Sequence, residues 1–314
     1  MIIGNDLARV NGIIADTMRS DNELTDAIVT EYLRSKGKQL RPMLVLLSAK
    51  FYGGVNDKTC HAAAAVEMLH NASLIHDDVI DRARSRRSHP TINSVWDNHI
   101  AVLIGDFFVT GALRASVTTG IPEVLSALAD MGRDLSVGEI SQIDNARRHV
   151  LDEERYMDII GRKTASLFVA CAKVGALTAG ATLEQSALLC EFARLLGLCF
   201  QIKDDIFDYY SNNVGKPTGN DLREGKVTLP LIHVLNGDLP IEREMREVLV
   251  KGDLTPGQID MLVEFAKERG GVVYAGDVMN RLRNEARALL ASSADNDVTA
   301  TLLRLLDYII DRDY

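Results

Sequence analysis

The sequence has few of the residues that disulfide-stapled, zinc-binding or strand-rich proteins need. Its four cysteines lie in apolar segments and none forms a Cys-x-x-Cys pair. Such cysteines are most often small buried residues of a reducing compartment, so we expect no disulfide framework and no zinc-thiolate site. Aromatic residues make up only 5% of the chain, and no segment alternates apolar and polar residues as a hairpin would. We therefore expect β-strands to play little part.

Net charge and hydrophobicity exclude two further classes of protein. The net charge is −9, whereas a nucleic-acid surface needs a clustered excess of Lys and Arg. An anionic substrate remains compatible, because a local basic pocket or bound cations can supply the positive field. No uninterrupted apolar run reaches the ~18 residues of a membrane span, and MIIGNDLARV lacks the pattern of a signal peptide. We expect a cytoplasmic protein without a transmembrane segment.

Helical periodicity runs through almost the whole chain. Two helices are expected to be long and hydrophobic on more than one face, from about Asn56 to Arg82 and from about Leu183 to Tyr209, so both should be central in a bundle. The longest irregular stretch, Ser211 to Thr228, follows the second of them, and a long loop in a compact chain is usually functional. No low-complexity linker divides the sequence, so we expect one all-α domain spanning residues 1–314.

A near-repeat marks the ends of the two central helices. The segment Ile75–Asp81 (IHDDVID) matches Ile202–Asp208 (IKDDIFD), which suggests two related halves that face each other. In a helix the first and last aspartates of each copy share one face: Asp77 with Asp81, and Asp204 with Asp208. The middle aspartate of each copy, such as Asp78, lies about 100° around the helix.

These aspartates favour a bound cation over a solvated acidic face. Both clusters are embedded in apolar sequence, ASLI before the first and GLCFQI before the second. Like charges four residues apart repel, and carboxylates are disfavoured at the negative end of the helix dipole. A divalent cation would offset these costs, and oxygen-only ligands select a hard ion such as Mg²⁺.

Basic residues near these clusters favour an anionic ligand. Each basic residue taken alone is best explained as ordinary surface charge. Beside carboxylates that bind magnesium, however, these residues together indicate a diphosphate-binding site, in which Arg offers a fork of donors and Lys a point charge. They are Lys38, Arg41, Arg86, Arg87, Lys163, Lys216 and Lys226.

At this point the sequence resembles the trans-isoprenyl diphosphate synthase (polyprenyl synthetase) family, in particular its medium- and long-chain members. The matching strings are GKQLRP, LIHDDVIDRARSRRSHPT, GRKTASLF, GLCFQIKDDIFDYY and GKPTGNDLREGKVTLPLI, in the family's order and intervals. One departure is Ser88-His89, where the family usually has Gly after the two arginines. The resemblance implies a helical bundle around a central cavity and a homodimer, with which the apolar segment Ile100–Ala115 is compatible.

The resemblance also implies roles for individual residues. Magnesium ions that hold the allylic diphosphate would be bound by Asp77, Asp81 and Asp204, with Asp78 and Asp208 in support. The allylic diphosphate itself would be contacted by Arg86, Lys163 and Lys226. Isopentenyl diphosphate would be bound by Lys38, Arg41, His70 and Arg87. The allylic cation would be stabilised by the oxygens of Thr164 and Gln201, and Lys216 would cap the closed site.

Product length should depend on side chains below the first acidic cluster. Ala72 and Ser73 lie about 6–8 Å below Asp77 along the helix axis, where short-chain members of the family place a bulky aromatic. Both are small here, either for helix packing alone or because a product tunnel passes them. The next turn carries the larger Met68 and Leu69. We expect a medium or long all-trans product, the alternative being a short-chain synthase.

Three other functions compete with this interpretation. A class I terpene cyclase would need no second diphosphate site, whereas Lys38, Arg41 and His70 indicate that this chain has one. A metal phosphohydrolase would have to use His76 and Asp77 with His61 and His70, although His76 fits a packing role better. A non-catalytic partner subunit would be expected to lose an acidic cluster, and both are intact. Metal-dependent turnover of isopentenyl diphosphate by the purified chain alone separates all three.

Overall fold

A computed structural model describes residues 2–35, 37–86, 89–210, 218–293 and 296–312. These residues form α-helices, one π-helical turn (Gly161–Ala165) and a minimal antiparallel hairpin of β1 (Ser85–Arg86) and β2 (His89–Pro90), so the predicted all-α class is confirmed. The helices are α1 (Gly4–Thr17), α2 (Glu23–Arg34), α3 (Leu40–Tyr52), α4 (Asp57–Ile80), α5 (Ile92–Val95), α6 (Asn98–Thr118), α7 (Pro122–Arg148), α8 (Glu153–Ile160), α9 (Ser166–Thr178), α10 (Leu183–Phe207), α11 (Asn220–Arg223), α12 (Leu229–Leu235), α13 (Pro240–Val250), α14 (Pro256–Glu268), α15 (Gly271–Leu290) and α16 (Asp297–Asp311).

The two predicted central helices are α4 and α10, and both end about two residues earlier than expected. The Asn56 side chain caps α4 by accepting a hydrogen bond from Thr59 N at 3.0 Å, which satisfies one of the orphan donors at a helix start. At the other end, Arg82 adopts a left-handed conformation with φ of 52°. Helix α4 therefore stops directly at the acidic cluster.

The chain groups into two compact units. The first comprises Met1–Gly132, Ala170–Cys190 and Asn296–Val298, and the second comprises Arg133–Val169, Glu191–Asp295 and Thr299–Tyr314. One acidic cluster belongs to each unit. That the chain acts as a single domain stays a prediction.

In the first unit, α4 packs along α6 and also against α1 and α3. Small residues permit this close packing: a Cβ on Gly111 of α6 would lie 2.6 Å from Sδ of Met18, which follows α1, and 3.2 Å from Sδ of Met68 on α4. The buried face of α4 is rich in alanine, from Ala62 to Ala65. Helix α4 is thereby surrounded on several faces, as its broad hydrophobicity predicts.

Helix α6 is the most apolar long helix of the first unit. By length and composition it could cross a membrane, and 44% of its most apolar part is buried. The buried core helix of a soluble protein passes the same test. Its other face leaves Leu103 and Val117 exposed, at 63% and 64%.

In the second unit, α12 packs against α14 and α15. Its core includes Leu231, Leu235, Leu262 and Val263, all buried. Tyr209, which follows α10, belongs to the same cluster. The hydrophobic core therefore extends to the end of the second acidic segment and supports it.

Candidate active site

The three aspartates of the first cluster differ in exposure and partners. Asp77 is half-buried and Asp81, the C-cap of α4, is exposed, whereas Asp78 is buried. Asp78 Oδ1 accepts a hydrogen bond from Arg86 Nε at 2.8 Å. Burial raises the pKa of the Asp78 carboxyl, and the Arg86 guanidinium opposes that rise. The spacing thus leaves Asp77 and Asp81 on the accessible side, as the sequence predicts.

Asp78 organises the segment that follows α4. Its carbonyl oxygen accepts bonds from Ala83 N at 2.9 Å and from Asn93 Nδ2 at 3.2 Å, in addition to the side-chain bond with Arg86. The carboxylate therefore has a structural partner, and Arg86 is held close to the cluster. Arg87, together with Ser88, lies outside the described residues.

His76 packs on α6. Its Nε2 lies 3.3 Å from the carbonyl oxygen of Val102 and 3.4 Å from Asp106 Oδ1. A Cβ at Gly105 would overlap the imidazole ring. The structure thus gives His76 a packing position on α6.

The other predicted residues of the first unit lie on α3, α4 and the segment before α3. Lys38 is exposed and Arg41 lies in the first turn of α3, while His70 is buried on α4. The four residues expected to govern product length are all on α4: Met68 and Ala72 are buried, and Leu69 and Ser73 are half-buried. Ser73 Oγ donates to the carbonyl oxygen of His70 at 2.8 Å.

In the second unit, Asp204 carries a cationic partner that the sequence did not indicate. Arg312 donates from Nη2 to Asp204 Oδ1 at 2.6 Å and to the carbonyl oxygen of Phe200 at 3.1 Å. Its guanidinium also lies over the rings of Phe200 and Phe207, 4.3 and 5.5 Å from their centroids. The Arg312 side chain is only 10% exposed, against 41% for Asp204.

A chain of hydrogen bonds joins Thr164, Gln201, Asp205 and Tyr156. Thr164 Oγ1 donates to Gln201 Oε1 at 2.6 Å, and Gln201 Nε2 donates to Asp205 Oδ1 at 2.7 Å. Tyr156 donates its hydroxyl to Asp205 Oδ2 at 2.6 Å. Gln201 thus turns its amide nitrogen towards Asp205 and its oxygen towards Thr164. Burial, and then the charge of Asp221, raise the pKa of the Asp205 carboxyl well above its usual range.

Asp208 binds the backbone of the short helix α11, which lies inside the stretch 211–228 that the sequence predicts to be irregular. Its two oxygens accept bonds from the backbone N–H groups of Asn220 and Asp221 at 2.9 and 3.0 Å. These bonds satisfy orphan donors at the start of the short helix α11. Lys216 lies outside the described residues.

A cavity of about 100 Å³ in the second unit brings several of these groups together. It is lined by Lys163, Gln201 and Lys226 among the predicted residues, and by Tyr156, Asp205 and Asp221 besides. Lys226 pairs with Glu224 at 2.5 Å. Two ammonium groups and two carboxylates around so small a space make a strongly polar site.

Asp221 is the second buried acid of this cavity. Burial, followed by the charge of Asp208, raises its pKa from 3.8 to about 7. Between these two values the folded state binds more protons than the unfolded state, so this group lowers the free energy of unfolding as pH rises from about 4 to 7. Deprotonated Asp221 is then a buried charge, partly offset by Lys226 and Lys163.

We therefore expect Asp221→Asn to stabilise the metal-free protein more at pH 8 than at pH 5. The gain in apparent Tm at pH 8 should be about 2–5 °C, which corresponds to about 1–2 kcal/mol of net charge-burial cost removed. Thermal melts in the presence of a chelator measure it. Asp238→Asn, at an exposed position, is the matched control and should shift Tm little at either pH. An Asp221→Asn gain that is larger at pH 5 would contradict the buried-charge account.

The sequence interpretation did not name three residues described above: Tyr156, Asp221 and Arg312. The sequence weakly indicated Asp221, which lies inside one of the strings that resemble the family. It did not indicate Tyr156, which lies in an ordinary helical segment. Arg312 and Asp204 are 108 residues apart, and no local pattern connects them. Only the tertiary structure brings the guanidinium to the carboxylate.

The donor set suits a hard divalent cation that is bound together with a substrate. Within the described ranges, no group of three or more His, Cys, Asp or Glu side chains is arranged to hold a metal by itself. Mg²⁺ commonly takes one or two carboxylates and completes its shell with water and phosphate oxygens. Asp77 and Asp81 offer such carboxylates in the first unit, and Asp204 is a partly exposed carboxylate of the second unit that pairs with Arg312.

Comparison with known proteins agrees with the motifs. The family model described as polyprenyl synthetase matches residues 22–265. The octaprenyl diphosphate synthase of Haemophilus influenzae is 34% identical over 98% of this chain and 94% of its own length. A polyprenyl synthase from Caulobacter crescentus, solved with calcium and isoprenyl diphosphate, superimposes with a TM-score of 0.92 at 34% identity, covering 100% of this chain and 96% of that one.

A short-chain enzyme is also similar. The geranylgeranyl pyrophosphate synthase of Bacteroides thetaiotaomicron is 36% identical, with a TM-score of 0.85, and covers 99% of this chain and 97% of its own. The all-α fold and the similarity to solved polyprenyl synthases place the chain in the isoprenoid synthase class. The chain belongs to the polyprenyl synthetase family.

Proposed function

We propose that the chain is a magnesium-dependent trans-prenyltransferase of the cytoplasm, which condenses an allylic diphosphate with isopentenyl diphosphate and releases diphosphate. The observation that carries the proposal is the pair of intact Asp-Asp-x-x-Asp segments, accompanied by Lys163, Lys226 and the Thr164–Gln201 hydrogen bond. Full-length similarity to an octaprenyl diphosphate synthase supports a medium or long product.

Magnesium would be held by Asp77, Asp81 and Asp204 and would neutralise charge on the allylic diphosphate. The ammonium groups of Lys163 and Lys226 and the guanidinium of Arg86 would donate hydrogen bonds to the departing diphosphate as negative charge develops on it. Isopentenyl diphosphate would be bound by Lys38, Arg41, His70 and Arg87.

The reaction balances without a redox partner. The bond between C1 and oxygen of the allylic substrate breaks, and diphosphate leaves with the electron pair. The double bond of isopentenyl diphosphate then attacks C1, and a proton is lost to the released diphosphate. The oxygens of Thr164 and Gln201 would stabilise the allylic cation, since the bond to Asp205 keeps the Gln201 oxygen turned towards Thr164. A dry site protects that cation from water.

A homodimer is part of the proposal. Four apolar side chains of α6 are exposed, and contiguous apolar surface on a folded protein commonly marks an interaction face. They are Val102, Leu103, Leu113 and Val117. A second copy of the chain would cover them.

The test is turnover by the purified chain alone, incubated with farnesyl diphosphate, isopentenyl diphosphate and Mg²⁺. Elongated prenyl diphosphates should form, and a chelator should abolish their formation. A cyclised hydrocarbon product would favour a terpene cyclase. Activity that appears only after a second protein is added would favour a partner subunit.

A further inference from the structure

Helix α7 and the π-helical turn approach each other unusually closely in the second unit. A Cβ on Gly138 of α7 would lie 2.7 Å from Lys163 N and 3.0 Å from Lys163 Cα. The turn Gly161–Ala165 closes with a bond from Ser166 N to the carbonyl oxygen of Gly161, and such π-bulges often occur at functional sites. Only glycine at position 138 therefore lets α7 reach the backbone of Lys163.

The residues next to Gly138 on α7 hold the Lys163 side chain. Glu139 forms an ion pair with the Lys163 ammonium, and Gln142 Oε1 accepts a hydrogen bond from it at 3.2 Å. Glu139 and Gln142 are three residues apart and so share one face of the helix. The side chains of Lys163 and Glu139 are 28% and 19% exposed. An ammonium has three donors, of which these contacts use two.

The Gln142 side chain has an unusual feature of its own. Its Nε2 is buried and has no hydrogen-bond partner among the described residues. The contact with Lys163 fixes the amide orientation, because an ammonium cannot accept a bond and must face the oxygen. Gln142 also lines the cavity that contains Lys163 and Lys226. A buried amide donor left unpaired is destabilising, and an acceptor on a bound ligand would satisfy it.

We propose that Gly138, Glu139 and Gln142 form an α7 cradle that directs Lys163 and the Gln142 amide at the allylic diphosphate. Glu139 is a positioning residue in this arrangement, and Gln142 Nε2 is a second donor to diphosphate oxygens. The inference rests on the proposed function and deepens it, because it adds two residues to the site that ionises the allylic substrate.

The electrostatics alone would predict the opposite role for Glu139. A carboxylate beside a diphosphate-binding lysine repels the anion and weakens the net positive field. Against this, a flexible lysine side chain loses rotamer entropy when it binds a ligand, and that loss has already occurred when Glu139 and Gln142 fix its position. A pre-ordered donor also needs no reorganisation as charge develops in the transition state. The cradle requires that this ordering outweigh the repulsion.

The experiment compares Glu139→Gln and Gln142→Leu with the wild type in steady-state turnover of farnesyl and isopentenyl diphosphates. Glu139→Gln should lower kcat about tenfold and leave the KM for isopentenyl diphosphate within about twofold. Gln142→Leu should act in the same direction. Asp134→Asn is the matched control: Asp134 lies on the same helix, one turn from Gly138, and faces Arg162, the neighbour of Lys163, at 3.8 Å. This control should keep wild-type turnover.

A double-mutant cycle with Lys163→Ala tests whether Glu139 acts through the lysine. In the Lys163→Ala background, Glu139→Gln should cost about nothing more, because residues that work as a unit are non-additive. Additive losses would overturn the cradle, as would Glu139→Gln turnover at or above the wild-type level. Thermal melts of each variant verify folding. If the wild type itself turns over no isopentenyl diphosphate, the proposed function is wrong. If the wild type is active but the Glu139 and Gln142 variants do not lose activity as expected, only the cradle is wrong.

Discussion

Replacing Asp77 with alanine is expected to cut turnover by about 100-fold or more while the fold survives. The loss follows from removing a carboxylate that is proposed to bind magnesium, since charge stabilisation worth ~3 kcal/mol in the transition state corresponds to about two orders of magnitude in rate. Folding should be unharmed, because the change also removes repulsion between Asp77 and Asp81 across one helical turn. The apparent Tm of the metal-free variant should equal or exceed that of the wild type.

Asp57→Ala is the matched control for this prediction. Asp57 lies at the opposite end of the same helix, where its carboxylate pairs with Arg9 at 2.5 Å and is 67% exposed. Its loss should leave turnover unchanged and cost stability only slightly, by about 0.3–1 kcal/mol from the helix dipole. The measurements are steady-state rates across a magnesium titration and thermal melts with a chelator. Near-normal turnover of Asp77→Ala would disprove the assignment of this aspartate to the metal.

In the second cluster, Asp204 should be replaced by asparagine and not by alanine. Asp204 is bonded to Arg312, whose side chain is almost fully buried. Truncating Asp204 to alanine would leave that guanidinium without its carboxylate partner, and a buried charge that loses its partner is strongly destabilising. Asp204→Asn preserves a hydrogen-bond acceptor for Arg312 and separates the catalytic loss from a loss of stability.

Local sequence patterns predicted the elements that carry the site. Helix α4 begins at Asp57, next to the predicted start at Asn56, and it ends at the acidic cluster. Helix α10 begins at Leu183, after the Thr182–Gln185 capping pair, whose reciprocal bonds are 2.8 and 3.1 Å long. Such features depend on residues a few positions apart, which is why the sequence alone reveals them.

The different roles of the aspartates within each near-repeat were not predictable from spacing. Periodicity places Asp77 and Asp81 on one face, but it does not indicate that Asp78 would bind Arg86. In the second copy the last aspartate, Asp208, bonds the backbone of α11, although its spacing from Asp204 equals that of the first pair. The partners come from the segments that follow each helix, and these segments differ between the copies.

The sequence did not predict the π-helical turn either, because GRKTASLF has the composition of an ordinary helix start. A π-turn inserts one residue into the helical register and changes which side chains face inward. Lys163 and Thr164 lie within this turn, so helical periodicity could not have placed them. Their environment depends on Gly138, which is more than 20 residues away in the sequence.

Substituting Ala72 with phenylalanine is expected to shorten the product to about C15–C20, from about C30–C40 in the wild type, because the tail must pass one turn below Asp77. Ala72 is 1% exposed on α4, and the next turn carries the fully buried Met68. A deeper floor can come from α6, where Phe108 is fully buried and Phe107 only half-buried. Phe108 contacts the Tyr32 ring edge-on at 5.4 Å, so of the two phenylalanines it is the one that points into the packed interior.

Two further variants separate blockage of a passage from general damage to the core. A phenylalanine forced into a filled core costs about 1–3 kcal/mol and lowers stability, whereas one that enters an open passage should leave the melting temperature nearly unchanged. Ala72→Ser adds a single oxygen and should keep the wild-type product, and Ala72→Leu should give intermediate lengths. Products formed from farnesyl diphosphate and excess isopentenyl diphosphate are sized by chromatography after removal of the diphosphate. Unchanged products from a folded Ala72→Phe variant, or a wild-type product that stops at about C15, would show that the chain does not grow past this turn of α4.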